Sequence, residues 1–200
     1  NEEHIENAIF FDLDRNSNQT KSLPHGHFLP SIDSHKRSIS EMGILNTDRI
    51  IIYCYSELIS SCRAWFQFLY FGHDPKLVSV LNGGMKKWKL EDKKVTNVKT
   101  RTIPSKYKAS KNNSMIKLKS QITENKIKKD FTILDARSKN RFLGLDPEPR
   151  PGIKSGSIEG SKSLPLSEIV NAEDNTFLDK KKLKEIFDLK GINANKIVMS

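Results

Sequence analysis

Two stretches of this sequence recur in the same order, and that recurrence limits the possible folds more than any other feature. His4-Ile5-Glu6-Asn7-Ala8 parallels Ser157-Ile158-Glu159-Gly160-Ser161. Further along, Gly43-Ile44, Asn46 and residues 48–53 (Asp-Arg-Ile-Ile-Ile-Tyr) parallel Gly191-Ile192, Asn193 and residues 195–200 (Asn-Lys-Ile-Val-Met-Ser), once one residue of the first copy is dropped. Two matches in one order imply two homologous units. The repeated apolar run, 50–53 in the first copy, is apolar on both faces, as a central parallel strand requires.

The rest of the first copy fits around that strand. Residues 3–13 read as a turn followed by a strand-like run, Ala-Ile-Phe-Phe, with Asp12 and Asp14 after it. His25 and His27 lie in a loop bounded by proline and glycine. Asp33 or Ser34 can cap a helix that Gly43 stops. Ser60 or Ser61 starts a second helix through Phe71, with Trp65, Phe68, Leu69 and Phe71 as core residues. Residues 76–81 give a second strand, and Asn82-Gly83-Gly84 turns out of it. Strand, helix, strand at this spacing is a right-handed βαβ unit.

Between 91 and 125 lysine, threonine, serine and asparagine replace the periodic pattern. The boundaries expected are a first domain at 1–95, a connection at 96–118 and a second domain at 119–200. In the second, residues 131–134 form a buried strand, and Asp179 caps a helix through Leu189 with Gly191 past its end. Residues 197–199 then begin the strand equivalent to 50–53. No helix or closing strand follows within the 200 residues, which would leave apolar surface and a strand edge uncovered. The expectation is therefore a fragment of a longer protein, both domains incomplete.

The loop at 135–160 carries Arg137, Arg141 and Arg150 among Pro147, Pro149, Pro151 and four glycines. Those residues argue against a helix there and for an ordered, turn-rich loop. Arginine offers a planar fork of donors that stays charged at any working pH. Two such forks aimed at one point would hold a small carboxylate, sulfate-like or phosphate anion. The alternative for each is a surface salt bridge to Asp146 or Glu148.

The same loop reads D-A-R, R-F-x-G, E-P-R-x-G and then a G-x-I-x-G turn. This run resembles the second domain of the two-domain sulfurtransferases of the rhodanese superfamily, most of all the 3-mercaptopyruvate branch, to which Arg150 points. The family turn G-H-I-P-G is here Gly156-Ser157-Ile158-Glu159-Gly160. The resemblance implies an α/β fold of two tandem rhodanese-like domains, each a parallel sheet flanked by helices. It implies that Arg141 and Arg150 bind the carboxylate of 3-mercaptopyruvate, and that Asp14 and His27 support proton handling. Without the resemblance, Asp14 caps a turn and His27 is a surface histidine. Arg137 and Asp135 read as structural.

The repeat aligns Ser200 with Tyr53, so the catalytic cysteine of the family falls directly after Ser200, outside this sequence. A strand-to-helix loop of backbone amides lowers a thiol pKa and holds the anion. The thiolate attacks the donor sulfur and is left as a persulfide, from which an acceptor thiol, thioredoxin or cyanide takes the sulfur. That chemistry needs no metal and no organic cofactor. Thiosulfate as preferred donor is the runner-up, and a non-catalytic rhodanese-like binding module is the alternative class. Cys54 stands at the corresponding place in the first copy. Its loop has no glycine, however, and Glu57 would repel a thiolate. These 200 residues are expected to be inactive alone.

Composition narrows the setting. A net charge of +10 raises nucleic acid as a partner, but no aromatics interleave with the lysines to stack on bases. A solvated connection and helix face account for the excess. No run approaches the ~20 apolar residues of a membrane span. Two cysteines are too few for a disulfide framework or a zinc site, so a reducing, cytoplasmic setting is expected.

Overall fold

The computed structural model describes residues 3–18, 28–56, 58–149, 152–192 and 197–199. The chain divides into two compact units, Asn1–Asn113 and Ser114–Ser200. Each is α/β, with parallel strands and helices packed on them.

In the first unit, helix α1 (Ile32–Glu41) leads to strand β1 (Ile50–Ile52), helix α2 (Ile59–Tyr70), strand β2 (Val78–Val80) and helix α3 (Gly84–Leu90). β1 and β2 pair in parallel, Ile50 opposite Val78, as the βαβ spacing requires. The N-cap of α1 is Ser31, two residues before Asp33 and three before Ser34; its hydroxyl accepts from the Ser34 N–H. Ile39, Phe68, Val78 and Tyr107 form the core. Trp65, expected there, is 37% exposed on α2. Ile51 is 58% exposed, so β1 is covered on one face, not two.

The run at 8–11 is not in a sheet, and Phe10 is 83% exposed. At the matching place of the repeated sequence in the second unit, Lys162–Ser163 form a strand beside the one that precedes them. Residues 101–113, expected in the connection, lie on the first unit. Tyr107 is 1% exposed in its core, and the Ser105, Ser110 and Asn112 amides donate to Ser40, Phe71 and Tyr70 carbonyls.

The second unit runs α4 (Lys119–Lys128), β3 (Thr132–Asp135), α5 (Lys139–Leu143), β4 (Lys162–Ser163), α6 (Lys180–Leu189) and β5 (Ile197–Met199). Its sheet order is β4-β3-β5, all parallel. Leu134, Leu164 and Ile192 form its core, with Ile186 and Phe187 of α6 packed against them. Asp179 caps α6 as expected, accepting from the Lys182 N–H at 2.9 Å. The helix α5 was not expected. Its five residues contain neither proline nor glycine, Ser138 caps it, and Gly144 ends it at φ 74°.

The repeated sequences adopt matching local geometry. The Ala8 N–H donates to Ile5 O and the Ser161 N–H to Ile158 O, each at 3.0 Å. The third residue of each turn is left-handed, Asn7 at φ 63° and Gly160 at φ 79°. Past α1 and α6, Gly43 and Gly191 are left-handed as well. The following amides, Ile44 and Ile192, reach back to Ile39 O and Phe187 O. β1 begins nine residues after α1 and β5 eight after α6, the one-residue difference seen in the sequence.

Candidate functional site

In a parallel sheet, ligands bind outside the carboxyl ends of the strands. β3 ends at Asp135, and its neighbour β5 runs the same way, with Leu134 opposite Met199. The carboxyl ends of these two strands therefore lie side by side, and β5 leads on into Ser200, outside the described residues.

Asp135 begins a ladder of charges at that end of β3. Its carboxylate accepts from Arg137 through Nε at 3.0 and 3.2 Å and Nη2 at 2.5 Å. Arg137 Nη2 also donates to Gly156 O at 2.8 Å, and Nη1 to Glu148 Oε1 at 2.6 Å. Glu148 in turn accepts from Arg141, Nε to Oε1 at 3.2 Å and Nη2 to Oε2 at 2.5 Å. Two carboxylates and two guanidiniums are thus linked end to end. Asp135 and Glu148 side chains are 3% exposed, those of Arg137 and Arg141 24% and 31%.

The electrostatics follow from these contacts. Burial alone would push the Asp135 carboxyl up, but hydrogen bonds and charge from Arg137, with Arg141 behind it, outweigh burial and hold it below its usual range. The hydrogen bond from Arg141 holds Glu148 below its usual range, against a smaller opposing effect of burial. Its carboxylate is covered by its two arginines more than by the mass of the fold. The Arg137 guanidinium is held more firmly protonated, chiefly by its hydrogen bond to Asp135. Asp135, Glu148 and Arg137 are therefore ionised across the neutral range.

The loop closes on itself to allow this. Gly144 is left-handed, and a Cβ on it would sit 3.3 Å from the Gly156 amide nitrogen. That contact brings the two ends of the loop together so that the Gly156 carbonyl can meet Arg137.

Of the residues singled out in the sequence, Arg141 is in this ladder, held by the acidic partner that its salt-bridge reading named. Arg137 and Asp135 join it through Glu148. Arg150, His27 and Ser200 lie outside the described residues. Asp14 is exposed in the first unit, in a turn whose cap is Asp12: Asp12 Oδ1 accepts from the Asp14 and Arg15 amides. Glu148 is the residue whose importance the sequence understated. Its signal was there, an acid seven residues from Arg141 and eleven from Arg137 on a proline-stiffened loop, but nothing in the sequence says that one carboxylate serves both.

Cys54 follows β1, and its thiol contacts Ser56 O at 3.7 Å. Its carbonyl accepts from the Met85 amide, and a Cβ on Gly84 would come within 2.8 Å of that oxygen. Burial, and then Cys54 itself, push the Cys62 thiol up. Among the described residues no cluster of three or more His, Cys, Asp or Glu could hold a metal ion, and no helix is long and apolar enough to cross a membrane.

Comparison with known proteins gives a consistent picture. Residues 1–91 match the model of the rhodanese-like domain. Mouse 3-mercaptopyruvate sulfurtransferase is 34% identical over 199 residues, and bovine thiosulfate sulfurtransferase 34% over 198. Each alignment covers 98% of this chain, and the chain spans 65% of the length of either relative. Among solved structures, SseA of Escherichia coli, representing the 3-mercaptopyruvate sulfotransferases, superposes with a TM-score of 0.85 at 26% identity, over 98% of this chain and 72% of its own. The Tum1 protein of Saccharomyces cerevisiae shares the fold at a TM-score of 0.81 and 24% identity, over 96% of this chain and 66% of its own.

Proposed function

The chain belongs to the rhodanese superfamily, and from that premise we propose that it carries the donor-binding part of a sulfurtransferase whose preferred donor is 3-mercaptopyruvate. The second unit is a second copy of the rhodanese-like domain; the matched turns at Ile5 and Ile158 and the matched helix ends at Gly43 and Gly191 support this. The nucleophilic cysteine lies directly after Ser200. Arg141 and Arg150 hold the donor carboxylate.

One observation carries the reading. The arginine ladder stands at the carboxyl end of β3, beside the end of the parallel strand β5. A cysteine following β5 would have fixed cationic donors within the same end of the sheet, where a carboxylate-bearing sulfur donor is attracted and oriented. Its thiolate attacks the donor sulfur, the carbon–sulfur bond breaks, and the three-carbon fragment leaves as pyruvate after taking up a proton. The persulfide then passes its outer sulfur to a small thiol, thioredoxin or cyanide, in a reducing cytoplasmic setting. The relatives named for thiosulfate are as similar as those named for 3-mercaptopyruvate, so thiosulfate is the second donor to assay.

The test uses the full-length protein with each donor and a thiol acceptor. Pyruvate release from 3-mercaptopyruvate, with a mass gain of one sulfur atom on the cysteine, is the expected result. Turnover of thiosulfate alone would transfer the assignment to the second donor. A residue other than cysteine after Ser200, with no turnover, would leave a binding module.

A further inference from the structure

We infer that Glu148 is a positioning residue that fixes the orientation of Arg141 for the donor carboxylate, an inference that rests on the function proposed above. Three observations carry it. First, Glu148 takes one whole edge of the Arg141 guanidinium, with Nε on Oε1 and Nη2 on Oε2. Among the described residues Nη1 has no partner, so one donor edge remains for an incoming anion. Second, Glu148 is itself anchored. Oε1 also accepts from Arg137 at 2.6 Å, and Arg137 is locked to Asp135 at the end of β3 and to Gly156 O. Arg141 is thereby referenced to the sheet by an unbroken chain of charge-assisted hydrogen bonds, the strong kind. Third, the Glu148 side chain is only 3% exposed, and Pro147 and Pro149 on either side restrict its backbone.

A rival role has the opposite sign. If Glu148 served only to offset the charge of Arg141, removing it would strengthen the hold on an anion. If it positions Arg141, removing it lets a long, rotamer-rich side chain wander, and binding weakens.

The experiment is a double-mutant cycle in the full-length protein, reading KM and kcat with 3-mercaptopyruvate. Glu148→Gln keeps the shape and loses the charge. It should raise KM about tenfold or more while kcat stays within about twofold, because the contact is remote from the reacting sulfur. Glu148→Asp keeps the charge and draws it back by one methylene; it should raise KM in the same direction. It also stands in if the glutamine variant does not fold. Arg141→Met should raise KM at least as far, and Glu148→Gln added to it should raise KM no further, since residues acting through one contact are not additive. A lowered KM in Glu148→Gln, a wild-type KM in Glu148→Asp, or fully additive effects in the double variant would each overturn the inference and leave the proposed function standing. Inert wild-type protein would remove both.

Discussion

His35 is a buried histidine of the first unit whose protonation acts against the fold. It is 1% exposed, stacked on Phe71 with ring centroids 4.1 Å apart, and its Nδ1 lies 3.2 Å from the Gln67 amide nitrogen. Among the described residues its Nε2 has no hydrogen-bond partner. Burial, and then the nearby His73, lower its pKa from 6.5 to about 4. The native state therefore holds it neutral where the unfolded chain would already take up a proton. The contribution of His35 to stability is full above pH 6.5, falls as the pH drops from 6.5 to about 4, and levels off below that. A shift of this size corresponds to roughly 3 kcal/mol. Denaturant unfolding of the first unit at pH 7, 5 and 4 should follow that course; a flat profile would show that the ring is not held neutral. Asp135 and Glu148 behave differently. Their lowered pKa values contribute stability above the ordinary carboxylate values of 3.8 and 4.5, lost as the pH falls further.

At the scale of elements, the two matched helix ends make a controlled comparison. Gly43 and Gly191 both take left-handed backbone after α1 and α6, where any L side chain is strained by about 1–2 kcal/mol. Their surroundings differ. A Cβ on Gly43 would meet the Ile103 carbonyl oxygen at 2.5 Å, which is backbone. On Gly191 it would meet, among the described residues, only the Nζ of Lys162 at 3.0 Å, the end of a side chain. Gly191→Ala should thus cost about the strain alone, and Gly43→Ala clearly more, by thermal or denaturant unfolding. Equal losses would mean that Ile103 yields. Asp179→Ala, which removes the cap of α6, should cost about 1 kcal/mol.

At the scale of the whole molecule, the segment after the family match behaves as part of the first unit. Residues 101–113 supply Tyr107 to its core, where the hydroxyl meets His73 Nδ1 at 3.0 Å. The amides of Ser105, Ser110 and Asn112 bond to carbonyls of that unit. Hydrogen exchange should find these three protected like the core amides of α2; exchange at the rate of an open chain would return the segment to the role of a connection. The acid responses should also separate. The first unit weakens from pH 6.5 downward through His35, whereas the carboxylates of the second hold until the pH nears their ordinary values and below.

Much of this was legible along the chain, because it depends on neighbours in sequence. The caps and stops of helices are set within a turn, so Asp179 and Gly191 marked α6 and Gly43 marked the end of α1. Apolar runs at βαβ spacing gave the parallel pair β1–β2. The arginine-bearing loop and its family resemblance pointed to the second unit. What the sequence could not supply depends on which distant groups meet. Trp65 read as core and Phe10 as part of a strand-like run, and both are exposed, because burial is decided by what lies opposite. Tyr107 read as connection and is core, for the same reason. Arg137, Arg141 and Asp135 were visible as charges, but only the closing of the loop at Gly144 and Gly156 put one carboxylate, Glu148, between two guanidiniums. A charge is a property of a residue; the geometry of a charge pair exists only once the tertiary fold has brought both ends together.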